Sequence, residues 1–596
     1  MSQLLKGGEF IVQSSDAQTI FIPEEWNEEQ RMMAQMVYEF MEQEIHPNLH
    51  KLDVEKYPEF NVYLLEKAGE LGLLGLTVPE EYGGMNLDFL TGLLFGEAVS
   101  SGLSFATTIG AQTSIGSLPI LYYGTKAQKE QYIPRIVSGE LKASYCLTEP
   151  DAGSDANSGK TKAVLNEDGT QYIVNGQKMW ITNGGFADIF IVFAKIEDDE
   201  NLSAFIIEKK FGGIEIGPEE KKLGIKGSST VQVFFNDCKV PIENLLGKRG
   251  GGFKMALNIL NTGRIKLAAG STGGSKMGIK KSVTYANQRK QFKQPISNFG
   301  AIKYKLAEMA LRTFATESGT YRTGDYINKK RLELEKQGKP FNHVKLASVK
   351  EYAVECAIMK VHASEVVAYC ADESLQIHGG MGFAVETGVE RGYRDARILR
   401  IYEGTNEINR MLSVGELFKR SFKDKAFDMV KPVKNLPVNL LKQAMPFNRS
   451  NKLFDHEWLL INNIKNVFLF IAGRAAQKYK LKLTDEQEII MNLADILAEA
   501  YVSESVFLRV QKIMQNRMGD VEKRSIQRKM AETYLYNALQ KVRQSGEEAI
   551  MSFTSGIEQS LLLKTLARLT PRYDINPKEH RRAIANYLIK KNDYPF

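Results

Sequence analysis

The chain has 596 residues, 43% of them hydrophobic and 25% charged, with a net charge of +7. This balance excludes collagen-like, disordered and multi-span membrane classes, and the length predicts more than one structural unit. The charge is uneven, roughly −3 over residues 1–420 and roughly +10 over 421–596, without the aromatic-interleaved basic stripe or zinc-finger spacing that nucleic acid binding would use.

Residues 1–25 read as an extension with no apolar block suited to a secretory signal. Residues 26–141 read as a helical domain. Glu28–Glu44, Phe60–Leu71, Leu87–Ser100 and Lys126–Val137 show apolar spacings of three and four, punctuated by Pro47, Pro58, Pro79 and Gly124. Over 142–248 the period shortens. Ser144–Leu147, Tyr172–Val174, Ile189–Phe193, Ala204–Ile207 and Val231–Phe235 predict short strands of an antiparallel domain, with no intervening helices for a Rossmann sheet. Residues 249–430 predict a bundle of long helices over Gly252–Arg289, Asn298–Lys336 and Phe341–Gln376. A linker over 421–437 leads to a further helical domain, 431–596, with amphipathic segments near 456–478, 484–514 and 521–544. The fold class expected is α+β, mostly α: helical domain, central antiparallel β domain, four-helix bundle, extra helical domain.

The longest apolar runs, such as Val467–Ala472, fall far short of the ~20 residues of a membrane span. The four cysteines form no CxxC pair, and a cytoplasmic location is expected. His46 and His50 have Pro47 between them and no third ligand, so no metal site is expected. Gly379-Gly380-Met381-Gly382 and Gly250-Gly251-Gly252 lack the strand and helix of a dinucleotide loop.

Three segments carry candidate chemistry. Residues 145–155 (YCLTEPDAGSD) set a strand end against a loop rich in hydrogen-bond donors, suited to a polar ring or phosphate. Met179-Trp180-Ile181-Thr182 places an indole beside a hydroxyl, and Tyr402-Glu403-Gly404 sets a carboxylate before a helix. Each has an ordinary structural reading: a core tryptophan, a turn, a helix-start carboxylate favoured by the dipole.

Their joint occurrence over residues 30–420 resembles the acyl-CoA dehydrogenase family, with KMWITNGG (178–185), RKQFKQPISNFGAI (289–302), QIHGGMGF (376–383) and IYEGTNEI (401–408) in the expected order. EKKLGIKGSST (220–230), ILNTGR (259–264) and the extra helical unit are most similar to the very-long-chain branch. The resemblance implies FAD, an acyl-CoA substrate, an electron-transfer flavoprotein as acceptor and a homodimer. It assigns Tyr145, Leu147, Thr148, Gly153, Ser154, Trp180 and Thr182 to the flavin side. Arg289, Gln291, Phe292, Gln376, Gly379 and Gly380 would hold the cofactor across a subunit boundary, with Thr405 and Glu407 beside them. Glu403 would be the base, and Ser154, Asn261, Arg264 and Gly404 would face the substrate. Gly263, not a carboxylate, precedes Arg264, so the base position used by some relatives is vacated. Asn261 stands where medium-chain members carry aspartate, and Glu407 where many carry glutamine. For the basic tail two expectations stand: a helical cap on the core, or peripheral contact with an anionic inner membrane through Lys523-Arg524, Arg528-Lys529, Arg581-Arg582 and Lys590-Lys591.

Overall fold

The computed structural model describes residues 4–55, 58–432 and 453–596. Its N-terminal region holds α1 (Glu28–Phe40), α2 (Pro58–Glu70), α3 (Phe89–Val99), α4 (Ser104–Ala111), α5 (Leu118–Tyr123) and α6 (Lys126–Val137). Capping boxes, Asn27 with Gln30 and Thr125 with Gln128, satisfy the free N–H groups at the starts of α1 and α6. At α3 the Asp88 carboxylate accepts from the N–H groups of Leu90 and Thr91. α4 and α5 fall in a Gly- and Thr-rich stretch too short to show a clear helical period.

Eight strands follow: β1 (Ala143–Cys146), β2 (Lys162–Leu165), β3 (Gln171–Thr182), β4 (Ile189–Ile196), β5 (Leu202–Glu208), β6 (Ile214–Ile216), β7 (Thr230–Pro241) and β8 (Leu245–Leu246). They form one sheet in the order β6-β7-β3-β2-β4-β5-β8, with β1 against β4. The antiparallel expectation needs one correction, because β1 and β2 both run parallel to β4. Parallel neighbours need a crossover, and the β2–β3 hairpin supplies the one between β1 and β4. Successive residues of β4 and β5 serve opposite faces. Ile191, Phe193, Ala204 and Ile206 pack toward α5, α6 and the start of the bundle, while Phe190, Val192, Phe205 and Ile207 pack toward β3 and β7. Burial on both faces explains why these strands read as unbroken apolar runs.

The bundle consists of α7 (Gly252–Gln288), α8 (Gly300–Lys336), α9 (Phe341–Glu351), α10 (Ala353–His378), the short α11 (Gly380–Phe383), α12 (Val389–Ala396) and α13 (Asn406–Phe418). The single helix expected over Phe341–Gln376 is broken at Tyr352, with neither glycine nor proline at the break. The cause is the N-terminal segment. Tyr352 donates to the Leu5 carbonyl, the Gly7 and Gly8 N–H groups donate to Glu351 and Glu355, and a Cβ at Gly7 would lie 1.8 Å from the Glu351 carbonyl oxygen.

Beyond residue 453 come α14 (Asp455–Tyr479), α15 (Gln487–Gln515), α16 (Val521–Phe553), α17 (Gly556–Leu569) and α18 (Pro577–Lys591). Of the expected linker, Leu436-Pro437 lies outside the described residues. One hydrophobic cluster runs without interruption from Ile11 and Leu93 through Phe314 to Phe507 and Leu588. Buried charges stitch the same seam. Arg509 on α15 pairs with Glu24 (2.8 Å) and with Glu317 on α8 (2.6 Å), and Lys276 on α7 pairs with Glu317 and with Glu97 on α3 (2.6 Å). Glu504 sits between Arg322 (2.7 Å) and Lys465 (2.8 Å). These four acids and four bases balance. Despite burial, which opposes charge, Lys465 and Arg322 hold the Glu504 carboxyl below the usual range.

At least half of the clustered basic residues of the tail are committed to bonds within the tail or to the bundle. Arg528 pairs with Glu532, Arg581 with Glu308 and Lys590 with Glu522, and Arg524 donates to the carbonyls of Arg517 and Gly519. This placement favours the cap and lends the membrane expectation no support. Removing the acid that Arg322 and Lys465 share, Glu504→Ala, is predicted to lower stability by about 3–5 kcal/mol. Urea unfolding followed by fluorescence checks this, with Glu522→Ala at the exposed Lys590 pair as a control whose midpoint stays in place.

Candidate active site

Glu403 occupies a backbone conformation that side chains seldom adopt, φ 60°, followed by Gly404 at φ 80°. The turn joins a 3-10 segment (Arg397–Arg400) to α13, whose first turn is capped by the Thr405 hydroxyl accepting from the Ile408 N–H. Two left-handed residues in succession reverse the chain sharply, and for glutamate this costs on the order of 1 kcal/mol or more. Three side chains clamp the turn by its carbonyls. Arg264 Nε donates to Glu403 O (3.3 Å), Lys360 Nζ to Gly404 O (2.7 Å), and Asn409 Nδ2 to both. Asn261 in turn accepts from Arg264 Nη1 at 2.6 Å. Asn261, Arg264, Glu403 and Gly404 are thus assembled from two segments about 140 residues apart.

The carboxylate itself is left unclamped. Oε2 of Glu403 is buried with no hydrogen-bond partner among the described residues. Burial pushes its carboxyl up to about 7, opposed by the positive charges of Arg264, Lys360 and Lys266. Gly263 makes the space: a Cβ there would lie 2.5 Å from Oε2 and 2.8 Å from Oε1. Glu403 and Gly263 open onto a cavity of about 330 Å³ between α3, α4, α7, α10 and α12. Much of its wall is small, including Gly92, Gly96, Ala106, Gly110, Ala111 and Gly270. Thr182 and Ile225 line the same space, and Ile225 is held there by its N–H donating to Asp395.

On the sheet side, a β-bulge between Lys178 and Ile181 turns Trp180 outward at φ 60°, leaving its indole 54% exposed. Below it Lys178 is fully buried and donates to Glu149 (2.6 Å) and to the carbonyls of Phe193 (2.6 Å) and Leu147 (3.3 Å). Met179 N–H also donates to Thr148 O. These bonds pin the 145–155 loop against β3, with Gly153 and Ser154 exposed on it. Tyr145 packs edge-on to Phe193 (5.0 Å), and its hydroxyl is buried without a partner. The sequence reading missed Lys178, Glu149, Lys360 and Asn409. The first two stand inside recognised motifs, but a charged residue ordinarily signals surface.

The remaining predicted residues gather at a second edge. The Tyr285 ring stacks on His378 (4.2 Å), joining the C-terminal ends of α7 and α10. Arg289, Gln291, Phe292, Gln376, Gly379 and Gly380 therefore share one exposed face, on which Phe292 is 87% and Phe383 81% exposed. No atom lies within 4 Å of a Cβ built at Gly153, Gly379 or Gly380, so all three leave open cradles. Glu407 is exposed beside Thr405, and the helix N–H at its own position holds its carboxyl below the usual range.

A fold of helices, sheet and bundle around a desolvated carboxylate facing an apolar cavity defines a class of enzyme, and comparisons with known proteins give that class its name. The chain matches the acyl-CoA dehydrogenase N-terminal domain over residues 27–140, the middle domain over 144–238, and C-terminal domains over 250–417 and 463–568. A Bacillus subtilis (strain 168) protein named probable acyl-CoA dehydrogenase is 41% identical over 99% of this chain and 98% of its own. The crystal structure of an acyl-CoA dehydrogenase complexed with FAD from Bacillus anthracis superposes with a TM-score of 0.95 at 42% identity, covering 99% of this chain and 100% of that one. The mitochondrial very long-chain specific acyl-CoA dehydrogenase of Rattus norvegicus is 46% identical over 58% of this chain, which spans about half (52%) of that relative's length. The chain belongs to the acyl-CoA dehydrogenase family.

The Gly263–Glu403 contact gives a direct prediction. Gly263→Ala drives a methyl group into the carboxylate and should lower kcat about 100-fold through misplacement of the Glu403 side chain, with flavin content unchanged. Steady-state assays on the purified, flavin-loaded variant check this, and activity within a few-fold of wild type would show that the carboxylate does not need that space.

Proposed function

We propose that this enzyme oxidises long-chain acyl-CoA thioesters to 2-enoyl-CoA in fatty acid β-oxidation, with Glu403 removing the α-proton. The observation carrying this is the partnerless Glu403 carboxylate, raised by burial to about 7 and facing a cavity walled by glycine and alanine. An α-proton of a thioester is weakly acidic, so the base must be brought near the working pH and the enolate oxygen must be stabilised. Desolvation does the first. For the second, the Glu403 backbone N–H donates to no acceptor among the described residues and is free to meet the thioester oxygen. Arg264, Lys360 and Asn409 hold the turn rigid while the proton moves to Oε2 or Oε1.

FAD is the cofactor, and when bound it supplies the acceptor for the β-hydride. The residues present fit it. Trp180, Thr182, Tyr145, Leu147 and Thr148, with Gly153 and Ser154 on their exposed loop, would hold the flavin and its neighbouring groups, and Thr405 and Glu407 would lie beside it. The open glycines 379 and 380, with Arg289, Gln291, Phe292 and Gln376, would take the nucleotide part of a second subunit's cofactor. Their exposure, and that of Phe292 and Phe383, is the observation favouring a homodimer. Reoxidation by an electron-transfer flavoprotein completes the cycle.

The long-chain preference rests on α3. Its cavity-lining positions run from Gly92 through Gly96 to Val99, about 10 Å at 1.5 Å per residue, and the small residues Ala106, Gly110 and Ala111 of α4 extend the wall. Anaerobic bleaching of the flavin by short-, medium- and long-chain acyl-CoA tests the preference, and tighter saturation by short chains would refute it. The base makes a second prediction. A carboxyl raised to about 7 is inactive when protonated, so kcat/KM should fall about tenfold per pH unit below 7 and level off above it. A profile flat down to pH 5 would be incompatible with Glu403 as the base.

A further inference from the structure

Lys266 stands on the cavity-facing side of α7, one helical turn beyond Gly263, the residue packed on the Glu403 carboxylate. On a helix, side chains lean toward the N-terminus, which carries Lys266 back toward Gly263 and Glu403. Its backbone carbonyl lies against Gly96 of α3, so the lysine sits where that helix crosses α7. An apolar side chain at this position would suit an acyl cavity better than an ammonium.

Three cations surround the base, and two are committed elsewhere. Arg264 is occupied by Asn261 and the Glu403 carbonyl, and Lys360 by the Gly404 carbonyl and Asn406. Lys266 makes no hydrogen bond or ion pair among the described residues. Two carboxylate oxygens lining the same cavity lack a partner among the described residues, Glu403 Oε2 and Asp395 Oδ2, and the Asp395 carboxylate already accepts from the Ile225 N–H. Lys266 and Glu403 thus line one cavity, an untethered donor and an unpartnered acceptor of opposite charge, with Gly263 one turn from the lysine and against the carboxylate. Burial pushes the Lys266 ammonium down to about 8, and the one charge opposing this is Glu403.

We propose that Lys266 is an electrostatic positioning residue for the base, its untethered ammonium keeping the Glu403 carboxylate ionised and aimed into the cavity before substrate enters. Arg264 and Lys360 act on the carboxylate through their charge while their hydrogen bonds fix the backbone of the turn, whereas Lys266 has no hydrogen bond to the turn and acts through its charge only. The other titratable groups facing Glu403 are Tyr145 from β1 and the adjacent Tyr402, both held neutral by burial, while Asp395 of α12 and Lys281 of α7 line the same cavity and do not enter the shift of the Glu403 carboxyl. The inference rests on Glu403 being the base.

The test is the pH dependence of kcat/KM for one long-chain acyl-CoA, measured on flavin-loaded wild type, Lys266→Met and Lys266→Arg. Methionine keeps an unbranched chain and removes the charge. Its acidic limb should move upward by about one pH unit, so that kcat/KM below the limb falls about tenfold while the curves converge at high pH. Arginine restores the charge and should return the limb toward the wild-type position. A Lys266→Met profile with an unmoved limb, whether or not its height drops uniformly, overturns the proposal, as does an arginine variant shifted as far as the methionine one. If wild type itself shows no acidic limb near neutral pH, it is the assignment of Glu403 that fails.

Discussion

The proposed chemistry depends on a contradiction at one carboxylate: to act as the base, Glu403 has to be dry and yet held in place without being tied down. The structure separates the two demands by atom. The backbone of the turn takes the hydrogen bonds, from Arg264, Lys360 and Asn409, while the carboxylate faces the cavity with Oε2 unpartnered. A conventional salt bridge from Arg264 to the carboxylate would lower its basicity. Directing the guanidinium to Asn261 and a carbonyl avoids that, and Gly263 leaves the room that any side chain would take.

Holding this arrangement requires that α7, α10 and α13 do not shift, and the C-terminal helices and N-terminal segment supply that rigidity. Lys276, on the same helix as Gly263 and Arg264, is locked to Glu97 and Glu317, and Glu317 is locked through Arg509 to α15. The segment 4–25 lies in the seam, its Glu24 on Arg509 and its Gly7 and Gly8 against the break at Tyr352. The C-terminal helices are therefore part of the frame that positions the Glu403 turn. Its buried charges fix register between helices, since cutting any one partner leaves an ion uncompensated.

The long elements were legible because periodicity reports one-sided burial, and α6 was read at Lys126–Val137 as found. The break at Tyr352 was not legible, because its cause lies some 345 residues away in Leu5, Gly7 and Gly8. The parallel partners of β4 were hidden for a similar reason, as pairing direction depends on a crossover rather than on composition. Within the site, Glu403, Trp180 and the glycine loops stand in contiguous motifs and could be named at once. Lys178, Glu149, Lys360 and Lys266 could not, because a lysine or glutamate in a sequence looks solvated until the structure shows its surroundings.

The central claim is that Glu403 takes the proton, and Glu403→Gln tests it most directly, since glutamine keeps the shape of the side chain and removes its basicity. The flavin-loaded variant should bind long-chain acyl-CoA, seen as a perturbed flavin spectrum, while the rate of flavin bleaching by that substrate under anaerobic stopped flow falls by at least about 100-fold. Bleaching at a rate near wild type would contradict the account and place the base elsewhere in the cavity.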